Sequence, residues 1–116
     1  MTETEFLRRA GDTLSALEAA LDAAPIDADC SRSGLVLTIG LEDGATVVVN
    51  AQAPMRQIWV AARSGGFHFA ADGEAWRDTR DGAELFAALS RIVSAHSGVA
   101  VVLQAPLSGA SGRGLG

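Results

Sequence analysis

Only one cysteine, Cys30, occurs in the 116-residue chain. A lone thiol has no internal disulfide partner and cannot by itself ligate an iron–sulfur cluster or a thiolate zinc site, so a reducing compartment is the simplest setting. No run approaches the roughly 18 consecutive apolar residues of a membrane-spanning helix. The stretch from Met1 to Arg9 is acidic and polar rather than a basic leader. A cytoplasmic protein with no membrane partner is therefore expected. Positive charge is also scarce: 9 Lys and Arg residues stand against 14 Asp and Glu, a formal net charge of -5. Such a field repels nucleic-acid phosphates and anionic lipid, attracts cations and basic protein patches, and argues against nucleic acid as a partner.

Catalytic signatures are missing as well. There is no His-Glu-x-x-His helix, P-loop, dinucleotide fingerprint or nucleophile elbow, and Gly65-Gly66 is too short to cradle a phosphate. With only His68 and His96 present, a Cys–His nucleophile pair through Cys30 has no local motif behind it. No catalytic residue is assigned.

What is present suffices for one modest core, since 48% of the residues are hydrophobic and the length suits a single domain. The expected division is a domain over 1–104 and a Gly- and Ser-rich tail over 105–116 that has little to bury and should be disordered. Leu7, Ala10, Leu14, Leu17 and Leu21 recur at steps of three and four, which predicts a helix from about Glu3 to Ala24, ended by Pro25. From Ile26 the pattern changes to short β-branched and aliphatic runs broken by turn residues. Strands are expected at Asp27–Ser31, Leu35–Leu41, Ala45–Asn50, Gln57–Ala62, Gly66–Ala71 and around Trp76. Asp43-Gly44, Asp72-Gly73 and Ser64-Gly65-Gly66 supply tight turns, so neighbouring strands should pair in sequence order. A second helix should begin after Asp81, capped by Asp81 and Glu84, bury Leu85, Phe86, Leu89, Ile92 and Val93, and stop at Gly98. His96 would favour the negative pole at its end. Val99–Leu103 should either form a last strand or dock on the helices. The result is an α+β fold, an antiparallel sheet of about six strands with both helices on one face.

Alternation then sorts the side chains. Leu35, Leu37, Ile39, Leu41, Ile58, Val60, Phe67 and Phe69 turn inward, as do Val47 and Val49, leaving Asn50, Gln57, Trp59 and His68 on the open face. A Trp among amides and a His reads either as a contact surface or as a ring packed under its neighbours. Glu18 and Asp22 lie four apart on the first helix, where like charges destabilise each other unless a cation intervenes. Asp27 and Asp29 share a strand face just beyond the helix end, so the four acids either form one edge or simply solvate the surface. Carboxylate oxygens suit hard or borderline divalent cations, ferrous iron included, without a closed cage. Glu42 and Asp43 read as turn chemistry.

The order and spacing of several stretches resemble the bacterial frataxins, the CyaY-like group. Thr4-Glu5-Phe6 opens the first helix, Asp29-Cys30 leads the first strand, and Leu37-Thr38-Ile39 precedes the acidic hairpin Glu42-Asp43-Gly44. More specific are Val49-Asn50-Ala51-Gln52-Ala53-Pro54, Gln57-Ile58-Trp59-Val60-Ala61, Gly65-Gly66-Phe67-His68-Phe69 and Trp76-Arg77-Asp78. The resemblance covers Thr4 to Leu103. It implies an α-β sandwich and a protein that binds iron, ferrous or ferric, weakly on an acidic ridge. It further implies a part in iron–sulfur cluster assembly, as a regulator of a cysteine desulfurase and its scaffold and as an iron donor. By position the ridge would hold Glu18, Asp22, Asp27 and Asp29, with Asp12 and Glu5 as outlying members, and the partner surface would hold Asn50, Gln52, Gln57 and Trp59. The chain departs from the family in having Ala19 beside Glu18 and Ala23 beside Asp22, where paired acids are common, so the ridge is thinner. The alternatives are a ferroxidase acting at the same carboxylates, or an interaction domain that has lost iron. A monomer is expected without metal.

Overall fold

A computed structural model describes residues 1–106. The expected boundary at 104/105 lies at its edge, and residues 107–116 of the expected tail lie outside the described residues. Helix α1 spans Glu3–Ala23. Thr2 caps it by accepting from the Glu5 amide while the Glu5 carboxylate accepts from the Thr2 amide, satisfying two of the free donors of the first turn. Its buried stripe is Phe6, Ala10, Leu14, Leu17 and Leu21. Leu7, expected to begin that stripe, is 37% exposed. Positions 6 and 7 both border the stripe, and Phe6 takes the inner place because it meets Trp76 edge-on, with ring centroids 5.8 Å apart.

Six strands follow: β1 Ala28–Ser33, β2 Val36–Leu41, β3 Thr46–Gln52, β4 Gln57–Ala62, β5 Gly65–Asp72 and β6 Ala75–Asp78. They pair in sequence order and antiparallel throughout, as the turn chemistry requires. Gly44 and Gly73 adopt φ of 86° and 61° in their turns, a region closed to most side chains. Between β4 and β5 the turn is made by Arg63 and Ser64, because Gly65 already pairs with Ala62, so the two glycines expected in that turn open the strand instead.

Helix α2 spans Leu85–Ser97 and ends at Gly98, whose φ is 74°. It starts later than expected. Residues 78–83 close a turn in which the Asp78 amide donates to the Ala83 carbonyl at 2.8 Å and Asp81 accepts from the Ala83 amide at 2.9 Å. Asp81 is spent on that turn. Glu84 becomes the cap, its carboxylate accepting from the Phe86 and Ala87 amides at 2.9 and 3.1 Å.

Both helices cover one face of the sheet. The core between them holds Leu37, Ile39, Val47, Val49, Ile58 and Phe69 from the strands against Leu14, Leu17, Leu85, Leu89 and Val93 from the helices. Leu35, Phe67 and Ile92, expected inside, are half-buried at its margins. Of the two fates open to Val99–Leu103, the chain docks on α2 and forms no strand. Val101 and Leu103 are buried there.

Candidate metal edge and contact face

Alternation along the central strands delivers the open face. Asn50 pairs with Trp59 and Trp59 with His68, giving one row across β3, β4 and β5; Gln52 pairs with Gln57 one row away. The four residues expected to form a partner surface, Asn50, Gln52, Gln57 and Trp59, therefore occupy two neighbouring rows on the face away from the helices. Trp59 is half-buried although no helix covers it. Its indole stacks on His68 at a centroid distance of 4.3 Å, and its Nε1 donates to Gln57 Oε1 at 2.8 Å. The ring is held flat and at one orientation, which lowers the entropy lost when a partner packs on it.

The second candidate lies at the other margin, where the end of α1 passes over edge strand β1. A groove of about 450 Å³ is lined by Glu18, Ala19, Asp22, Ala28, Asp29 and Cys30. The helix repeat sets Glu18 and Asp22 one turn apart, and the strand brings Asp29 to meet them. Asp27 stands just ahead of β1 and, with Asp29 and Glu42, borders a separate groove of about 540 Å³ toward the β2–β3 turn. Asp29 thus lines both grooves, while Glu18 and Asp22 line only the first and Asp27 only the second. Glu5 and Asp12 lie on the first half of α1 with local partners, the cap at Thr2 for Glu5 and Arg8, 3.7 Å away, for Asp12.

The field of these groups is felt at Cys30. Its thiol is pushed up from its usual range, first by burial and then by the charges of Glu18, Asp29 and Asp22. Cys30 therefore stays a protonated thiol at neutral pH, the opposite of what a nucleophile needs. Oxygen donors of this kind fit iron as a hard or borderline cation. Among the described residues no three His, Cys, Asp or Glu side chains form a group that could hold a metal ion.

One residue at this edge escaped the sequence reading. Arg32 of β1 projects on the same side as Ala28 and Cys30, and its Nη1 lies 3.1 Å from Glu18 Oε1. The available signal was an arginine at an inward position of an edge strand beside an acidic helix. His96 lies in the last turn of α2, as expected, and has a further partner. Its Nδ1 donates to Asp43 Oδ2 at 2.8 Å, tying the end of α2 to the β2–β3 turn.

An open-faced α-β sandwich with an acidic edge at the first helix and first strand is the class of protein these features define. The chain belongs to the frataxin family: the frataxin-like domain model matches residues 1–99. It is 55% identical over 109 residues to the iron-sulfur cluster assembly protein CyaY of Janthinobacterium sp. (strain Marseille), an alignment covering 90% of this chain and 97% of that protein. Among solved structures it resembles the frataxin of Psychromonas ingrahamii, with a TM-score of 0.85 at 27% identity, covering 90% of this chain and all of that one. Trimeric frataxin from the yeast Saccharomyces cerevisiae, complexed with ferrous iron, matches with a TM-score of 0.56 at 30% identity over 83% of this chain and 85% of that one. No helix among the described residues is long and apolar enough to cross a membrane.

Proposed function

We propose that this chain serves iron–sulfur cluster assembly by holding iron weakly along Glu18, Asp22, Asp27 and Asp29 and by docking a cysteine desulfurase and its scaffold. In this reading it regulates that machinery and delivers iron to it, as a cytoplasmic protein that is monomeric without metal. Support comes from 55% identity to an iron-sulfur cluster assembly protein and from the likeness to a yeast frataxin complexed with ferrous iron. The observation that carries it is the groove at the α1–β1 margin that Glu18, Asp22 and Asp29 line together. Their shared field attracts a divalent cation or a basic protein patch alike.

A ferrous-iron titration of the apo protein without oxygen, followed by backbone amide NMR, tests the metal. Shifts or broadening confined to Glu18, Asp22, Asp27, Asp29 and their neighbours are expected. A response spread evenly over the surface would remove iron from the function. For the partner, Glu18→Lys combined with Asp22→Lys should abolish capture of the desulfurase, and undiminished capture would count heavily against the acidic edge as a docking site.

A second reading has its own support. Arg32 already neutralises Glu18 and Ala19 and Ala23 thin the edge, which favours an interaction domain that works through its open face alone. It requires that Trp59→Ala abolish partner binding while substitutions of the edge acids do nothing.

A further inference from the structure

Of the four expected ligands, Glu18 alone has an ion-pair partner among the described residues, and that partner is fixed by more than the pair. The Arg32 guanidinium also donates to Ser15 Oγ at 2.8 Å and to the Gly11 carbonyl at 3.3 Å on α1, and its Nε donates to the Gly34 carbonyl at 3.0 Å. Three of its four acceptors are uncharged and sit on the helix and on the β1–β2 turn. The positive charge therefore stays in place when the Glu18 carboxylate swings away. Both side chains keep partial solvent access, 24% for Arg32 and 35% for Glu18, so exchange of the pair against another cation needs no unfolding.

We propose that Arg32 is the affinity-setting residue of the acidic edge, a built-in counter-cation against which ferrous iron must compete for Glu18. The inference rests on the reading of Glu18, Asp22 and Asp29 as cation ligands and adds what limits them. Two effects act in the same direction. Arg32 Nη1 holds Glu18 Oε1 through a single charge-assisted bond at 3.1 Å, and a metal ion that takes that oxygen must displace it. Once bound, the ion remains within a few ångströms of a fixed like charge. The edge then fills only at high free iron and empties readily, which suits a protein that reports on iron or passes it on rather than storing it.

The test compares ferrous-iron affinity, read from amide shifts at Glu18, Asp22 and Asp29 without oxygen, in the native chain, Arg32→Gln, Arg32→Met and the double variant Arg32→Gln with Glu18→Gln. Either single variant should bind about threefold to tenfold more tightly at low salt, since the pair is about a quarter to a third exposed and partly screened. The double variant should lose that gain. Tighter binding in the single variants when the native edge barely responds supports the proposal in its strongest form. A native edge that binds iron with the same affinity as both single variants overturns the role of Arg32 and leaves the edge itself standing. Failure of both native and variant edges to respond locally overturns the metal reading and this inference together.

Arg32→Met retains the apolar stem should Arg32→Gln fold poorly. A measurement on the native chain needs neither variant: during a magnesium titration, the Arg32 Nη protons, one of which faces Glu18 Oε1, and the Glu18 carboxyl carbon are followed together. Coupled movement supports competition, and movement of Glu18 alone overturns it.

Discussion

The Trp59 indole lies nearly parallel to the His68 imidazole, the planes 12° apart and the centroids 4.3 Å apart, on a sheet face that no helix covers. A stacked pair of this kind adds about 0.5–1.5 kcal/mol beyond the area it buries. With the lost burial added to that increment, Trp59→Ala should cost about 2–3 kcal/mol in urea unfolding and leave the amide spectrum native-like. It should also weaken the desulfurase complex by about tenfold or more in Kd, because a fixed Trp at the centre of a flat patch has the character of a binding anchor. Near-native binding by a folded Trp59→Ala would exclude the open face.

Asp43 uses its two oxygens on different elements. Oδ1 accepts from the Ala45 amide at 2.9 Å and Oδ2 accepts from His96 at 2.8 Å. Its carboxyl is held below its ordinary value of 3.8, first by the bond from His96 and then by that from the Ala45 amide. A carboxyl whose value is lower in the folded state than in the unfolded one contributes stability above the unfolded value and loses it as pH falls through the folded one. Native protein should thus melt at a higher temperature than Asp43→Asn at about pH 6, and the gap should close as the pH drops below about 4. A gap that stays constant over that range would mean the carboxylate charge contributes nothing.

Arg56 has φ of 53° and ψ of 43°, and it is the single non-glycine residue with positive φ among those described. It closes the short 3-10 turn Ala53–Met55, where its amide donates to the Ala53 carbonyl at 3.1 Å and its guanidinium reaches the same oxygen. A side chain in the left-handed region costs about 1–2 kcal/mol, part of which glycine returns through its freer unfolded chain. Arg56→Gly should raise the melting temperature by about 2–6 °C, whereas Arg56→Val should lower it. A lower melting temperature for the glycine variant would show that the guanidinium contact outweighs the strain.

Much of this architecture is legible along the chain because each element repeats its apolar residues with its own period. Three- and four-residue steps fix α1, and two-residue steps in β3 and β4 decide which side Asn50 and Trp59 take. Asn50, Gln52, Gln57 and Trp59 fall together once the β3–β4 connection sets Gln52 opposite Gln57. What stays hidden depends on distant partners. The start of α2 follows from the bridge between Arg77 and Glu84 and the turn it closes, not from the spacing of Asp81 and Glu84 alone. Arg32 meets Glu18 only because β1 runs under α1, 14 residues away in sequence. His96 likewise finds Asp43 across the width of the fold, where local reasoning leaves it at a helix pole.

Two serines on α2 explain why Val99–Leu103 gives no clear sequence signal. Ser90 Oγ accepts from the Leu103 amide at 2.8 Å while donating to the Phe86 carbonyl at 2.6 Å. One turn later Ser94 Oγ accepts from the Val101 amide at 2.8 Å and donates to the Val101 carbonyl at 3.1 Å. The extended segment thus finds its backbone partners on helix side chains instead of a neighbouring strand, and Val101 and Leu103 are buried against α2 as a result. Removing a hydroxyl leaves a buried amide unpaired, which costs about 1–3 kcal/mol. Ser90→Ala should cost more than Ser94→Ala, because Ser90 is the more deeply buried of the two. The double variant should release the segment beyond Gly98, seen as fast amide exchange at Val101 and Leu103 and as early cleavage by a protease, while Trp59 and the sheet keep their native signals. Unchanged exchange at those two amides would mean that burial of Val101 and Leu103 alone secures the segment and that the serine bonds only set its register.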